Sequence, residues 1–122
     1  MDYQNSGRFE LEDVVRISLD EFGASGICDL RRLPLKTSLN VVAYLCRELS
    51  DAGIRELSQR FGMTTSQFVF CARKGRMLVS TLEQFKAKAD KVEKRLAFVQ
   101  ERIYPVKEKL NRIVSDLQNL FS

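Results

Sequence analysis

The chain has 122 residues, with 20 Lys and Arg against 16 Asp and Glu, a net charge of +4 and no histidine; its length suits one domain, or one small domain with an extended element. The missing histidine excludes imidazole-ligated metal sites and Ser-His or Cys-His nucleophile pairs, and neither GxxxxGK(S/T) nor GxGxxG is present to cradle a nucleotide. No apolar run approaches the ~18 residues of a membrane span, and Met1 to Arg8 has no signal-peptide stretch. Cys28, Cys46 and Cys71 are odd in number, widely spaced and without a CxxC, as expected of packing thiols in a reduced, cytoplasmic chain. The expectation is a non-enzyme with no catalytic residues, no metal, no cofactor and no small-molecule ligand.

The positive charge is concentrated. Residues 1–53 carry a net −3, residues 54–76 a net +4, and residues 77–122 a net +3. A short basic centre of this kind attracts polyanions.

Residues 1–8 read as a flexible N-terminus. From Phe9 to Phe22 the apolar residues Leu11, Val14, Val15, Leu19 and Phe22 fall at helical spacing, with Gly23 as a left-handed stop. Ile27 and Leu30 tuck inward on a short irregular stretch. Arg31 to Lys36 forms a basic loop stiffened by Pro34. Thr37 can cap a helix over about Ser38 to Leu49 that buries Leu39, Val42, Leu45, Cys46 and Leu49. Ser50-Asp51-Ala52-Gly53 is turn chemistry. A short helix from Ile54 to Phe61 follows, facing inward through Ile54, Leu57, Ser58 and Phe61. After a Gly62-Met63 turn, Thr64 and Gln67 have capping-box spacing. The next helix turns Phe68, Cys71 and Ala72 inward, and Gly75 is the first residue that weakens it.

The last segment is a heptad stripe. Leu78, Leu82, Phe85, Ala89, Val92, Leu96, Val99, Ile103, Val106, Leu110, Ile113, Leu117 and Leu120 alternate in steps of four and three. One helix over Leu78 to Leu120 is about 65 Å long at 1.5 Å per residue. That exceeds what the head can cover, so part of the stripe must meet another chain or fold back. Pro105 sits within the pattern and predicts a kink, with a hairpin at Tyr104-Pro105 as the alternative. Over the whole stripe, the flanking charges choose neither parallel nor antiparallel pairing.

Ile54 to Arg76 has the layout of a helix-turn-helix: IRELSQRF, a glycine turn, then the capped TTSQFVFCARKGR. Small polar residues open its second helix, basic residues close it, and Arg55 and Arg60 flank it. Residues 41–76, VVAYLCRELSDAGIRELSQRFGMTTSQFVFCARKGR, resemble the C-terminal DNA-binding domain of the replication initiator DnaA. The likeness runs through Tyr44 to Gly62 and Ala72 to Lys74, and extends more weakly over residues 9–78. The same domain type ends the REP-associated tyrosine transposases, whose glycine-Met-Ser/Thr and R-x-G elements resemble Gly62-Met63-Thr64 and Arg73-Lys74-Gly75.

The resemblance implies an all-α fold with a Trp-repressor-like helix-turn-helix that sets its second helix in the major groove of double-stranded DNA. The Asp-His-Thr-Thr run with which DnaA reads its box stands here as Thr64-Thr65-Ser66-Gln67, and a later histidine as Phe70. The expected organisation is a flexible terminus (1–8), a DNA-binding head (9–76) and a long coiled-coil helix (77–122). The expected DNA contacts are Thr64, Thr65, Ser66, Gln67, Phe70, Arg73, Lys74 and Arg76, with Arg31, Arg32, Lys36 and Arg55. The expected homo-oligomer, a dimer by preference, uses Leu82, Phe85, Ala89, Val92, Leu96, Val99, Ile103, Val106, Leu110, Ile113, Leu117 and Leu120. The competing expectation, motivated by the changed run and the apolar Val69-Phe70 pair, is a protein-interaction adaptor that keeps the fold without reading DNA and uses the tail as its main working surface, binding itself or a partner helix.

Overall fold

The computed structural model describes residues 9–32 and 35–121, including all their side chains except those of Ile103 and Tyr104. The expected flexible terminus, Leu33-Pro34 of the basic loop and the Ile103 side chain of the expected seam lie outside the described residues.

The described chain is all-α: α1 (Leu11–Glu21), α2 (Ile27–Leu30), α3 (Lys36–Leu49), α4 (Ile54–Arg60), α5 (Thr65–Thr81), α6 (Glu83–Phe98), a π-helical turn (Val99–Ile103) and α7 (Tyr104–Phe121). No helix among the described residues is long and apolar enough to cross a membrane. Before α1, Phe9 pairs with Ser50 in an isolated parallel bridge. The Phe9 N–H donates to Leu49 O at 3.3 Å and the Asp51 N–H to Phe9 O at 3.2 Å.

Helix α3 is the axis of the core. It packs on α1, α2, α4, α5 and α6. Its apolar positions recur at helical spacing, and Leu39, Val41, Val42, Ala43, Leu45, Cys46 and Leu49 are all buried. Burial pushes the Cys46 thiol far up, so it stays protonated and acts as a small apolar side chain. Thr37 is not the cap expected of it. The helix begins two residues earlier, at Lys36, with Leu35 at the N-cap and no side-chain cap bond.

Gly75 is buried and does not weaken α5, which runs on to Thr81. A Cβ at Gly75 would lie 1.9 Å from Asn40 O and 2.8 Å from Tyr44 Cβ. Two helix backbones therefore cross in contact here, a distance only glycine permits. Beside the crossing the Cys71 thiol donates to Asn40 Oδ1 at 2.9 Å.

The expected long helix from Leu78 is interrupted. Leu82 is extended (φ −116°, ψ 118°) and separates α5 from α6. The Ser80 and Thr81 hydroxyls donate to the carbonyls of Arg76 and Met77, four residues back, at 2.8 and 2.7 Å. Such back-bonding competes with the helical ladder, and Val79 and Thr81 add β-branched crowding. After the break, α6 returns along α1, α3 and α5.

Phe85, Ala89, Val92 and Leu96, expected in an intermolecular seam, are instead buried against this chain's own head. Val99 is partly buried on the same core. Leu82 is a half-exposed break residue. An aromatic stack and polar contacts fix the return. Phe22 and Phe85 stack at 6.3 Å, Lys88 Nζ donates to Glu21 O at 3.1 Å, and Arg95 pairs with Asp20 and Glu21 at 2.9 and 3.2 Å. These cations also meet the negative, C-terminal end of α1.

The helix does not reverse at Tyr104-Pro105. Pro105 has no N–H for the carbonyl four residues back, and the wider π turn at Val99–Ile103 directly precedes it. Beyond it, among the described residues, α7 packs broadly on no other helix.

Two substitutions test this arrangement. Gly75→Ala is expected to lower stability by about 1–3 kcal/mol through overpacking, measured by denaturant unfolding. Leu96→Asp is expected to destabilise by at least about 3 kcal/mol, since it buries an unpaired carboxylate inside the monomer. Its loss in melting temperature is expected to be the same at all protein concentrations, whereas a seam position would give a concentration-dependent loss.

Candidate nucleic-acid interface

Helices α4 and α5 meet through a turn at Phe61–Thr64. Phe61 and Phe68 pack edge-on at 5.2 Å and set the angle between the helices. Gly62 takes φ 66°, and the Met63 N–H closes back on Ser58 O at 2.9 Å, a helix-ending geometry that glycine favours. Leu57, Ser58 and Phe61 face the core as expected, whereas Ile54 lies at the surface.

The capping box is present in full. Thr64 Oγ1 accepts from the Gln67 N–H at 3.1 Å, and Gln67 Oε1 accepts from the Thr64 N–H at 3.0 Å. This changes the expected roles of both residues. Bidentate pairing with adenine needs the amide oxygen and nitrogen of Gln67 together, and the oxygen is held by the cap. Thr65 and Ser66 are exposed and are the small polar groups free to approach a base edge.

Along α5 the other expected residues line up at the surface. Phe70 is 59% exposed, with Lys74 Nζ 4.6 Å from its ring centroid. Arg73 and Arg76 are exposed. Arg73 borders two shallow grooves. One is lined by Ile54, Thr65, Ser66, Val69 and Phe70, and the other by Tyr44, Arg47, Glu48, Ala72 and Arg76. The second groove brings in Arg47, which sequence reasoning missed. The available signal was spacing: Asn40, Tyr44 and Arg47 follow one another on the α3 face that meets α5.

The remaining expected cations are dispersed. Arg31 donates through its guanidinium to Phe61 O, and to Gly62 O at 3.5 Å, so it braces the turn. Arg60 makes a two-point pair with Glu12 at 2.9 and 3.1 Å, which removes it from the flank of α5. The Arg60 hydrogen bonds hold the Glu12 carboxyl below its usual range. Arg32, Lys36 and Arg55 are exposed, and among the described residues no hydrogen bond or ion pair ties their side chains to α5. The site is thus the exposed face of α5 with Arg47 beside it.

Comparison with protein-family models, with curated proteins and with solved structures gives no match.

The cap assignment separates structural from contact residues. Thr64→Ala is expected to cost about 1 kcal/mol of folding free energy, and Thr65→Ala less than about 0.5 kcal/mol. Urea unfolding of the two variants measures both.

Proposed function

We propose that the chain is a non-enzymatic DNA-binding protein in which α4, the glycine turn and α5 work as a helix-turn-helix and the C-terminal segment joins copies of the chain. The observation that carries this reading is the exposed face of α5. Its first turn offers Thr65 and Ser66, and Arg73, Lys74 and Arg76 follow on the same helix with Arg47 alongside. The division of labour suits a duplex. Phosphate contacts by the cations hold and orient the protein, and short polar side chains at the helix start reach base edges. The free amides of that first turn favour a phosphate oxygen. The resemblance of residues 41–76 to the DnaA DNA-binding domain supports the same reading, with the adenine-reading role of Gln67 withdrawn because of the cap.

A second reading is favoured by one observation. Phe70, exposed among polar neighbours, shares a groove with Ile54 and Val69, as an apolar anchor for a protein partner would. In that case α5 presents a docking surface and the cations form its rim.

The test is fluorescence anisotropy against random duplex DNA, titrated from low to physiological salt. Wild-type affinity is expected to fall steeply with salt through counterion release. Arg73→Ala with Lys74→Ala is expected to weaken binding across all sequences and to reduce the salt slope by about 2. No binding at low salt removes the DNA reading and leaves the adaptor.

A further inference from the structure

Helix α7 carries an apolar face that no other described part of this chain covers. Val106, Leu110, Ile113, Val114, Leu117, Leu120 and Phe121 are between 48% and 87% exposed. They occupy positions a, d and e of the heptad, a stripe about 23 Å long at 1.5 Å per residue. Since α6 is folded onto the head, α7 is the segment left to make a seam, and its own charges can be read without those of residues 83–98.

Read alone, they choose an orientation. In a parallel, in-register pair each g position faces the e position five residues on in the other chain. Lys109 would then face Val114, and Asp116 would face Phe121. No attractive pair forms. In an antiparallel pair g faces g and e faces e. Layering Val106 on Leu117 and Leu110 on Ile113 of the second copy brings Lys109 opposite Asp116, and two-fold symmetry makes that ion pair twice. The same register lays the methylene stem of Lys107 beside Val114, covering the apolar e position while its ammonium stays in water.

We infer that α7 is an antiparallel self-association helix, in which two copies of the chain pair through Val106, Leu110, Ile113 and Leu117 with reciprocal Lys109–Asp116 ion pairs. The inference deepens the proposed function by naming the joining segment and its direction, and it rests on that reading for the role of the joined heads. The seam centres near residue 112, so the two heads lie at opposite ends of it. Each then presents its α5 on its own side of the assembly.

Sedimentation equilibrium of the full chain without DNA tests it. Wild type is expected to be a dimer at tens of micromolar. Lys109→Glu sets two acids opposite each other at both ends of the seam and is expected to raise the dimer dissociation constant roughly tenfold. Asp116→Lys is expected to do the same. Combining Lys109→Glu with Asp116→Lys restores wild-type association. Glu108→Lys, on the outer face at position f, leaves it unchanged. These positions are exposed, and circular dichroism confirms that each variant remains folded. A monomeric wild type, a trimer or tetramer, or a Lys109→Glu variant that associates as wild type overturns the proposal. Duplex anisotropy of the same samples keeps the two readings apart. A dimer that ignores DNA preserves the seam and removes the DNA-binding head, and a monomer that binds DNA does the reverse.

Discussion

The structure depends on the contact of two helix backbones at Gly75. A side chain there would overlap Asn40 O, so α3 and α5 could not cross where they do. Glycine in a helix interior costs about 1 kcal/mol relative to alanine. The close crossing offsets that cost by letting Phe68, Cys71 and Ala72 reach the core around α3. It also sets the external face. With the backbones in contact, Arg47 of α3 and Arg73 and Arg76 of α5 border one groove. The residue that looks weakest in the sequence thus fixes both the core and the basic surface.

Much of the head was legible in the sequence because its signals are local. The capping box of Thr64 and Gln67, the left-handed Gly23 and Gly62, and the inward faces of α1, α3 and α5 follow from hydrogen-bond reach and 3.6-residue periodicity. The tail was misread because periodicity names a face and not what covers it. Phe85 to Leu96 and Val106 to Leu120 share one heptad phase, yet the first set closes the core and the second is exposed. The deciding feature, the break at Leu82, has neither glycine nor proline. It follows a run of Val79, Ser80 and Thr81, whose hydroxyls bond backward to Arg76 and Met77. The sequence offered that cluster as a signal, and the regular stripe through Leu78 and Leu82 masked it.

Charge counting overstated the interface for a related reason. The segment 54–76 holds five cations, but Arg60 is paired with Glu12 from α1, and Arg31 from the preceding loop is turned onto the carbonyls of Phe61 and Gly62. Partners this distant in sequence are invisible to a tally by segment. Arg95 belongs to the same class, since it closes α6 onto Asp20 and Glu21. The cations left on the surface of α5 and at Arg47 are fewer than the tally and more closely grouped.

The break at Leu82 and the π turn at Val99–Ile103 divide the tail into parts with separate consequences. Helix α6 belongs to the folded unit, because its apolar face completes the core and its cations hold the end of α1. Helix α7 continues from the π turn and, among the described residues, packs broadly on no other helix, so its apolar face lies outside the core. Folding of the head and the proposed pairing of chains would therefore be energetically separable at the π turn. A change on α6 is felt as lost stability, and one on α7 as altered association. On the proposed function, two DNA-binding heads joined through α7 would gain affinity from effective concentration only when both reach the duplex together. The direction of the proposed α7 seam, which would set where the second head lies, would then govern which spacing of half-sites can be held.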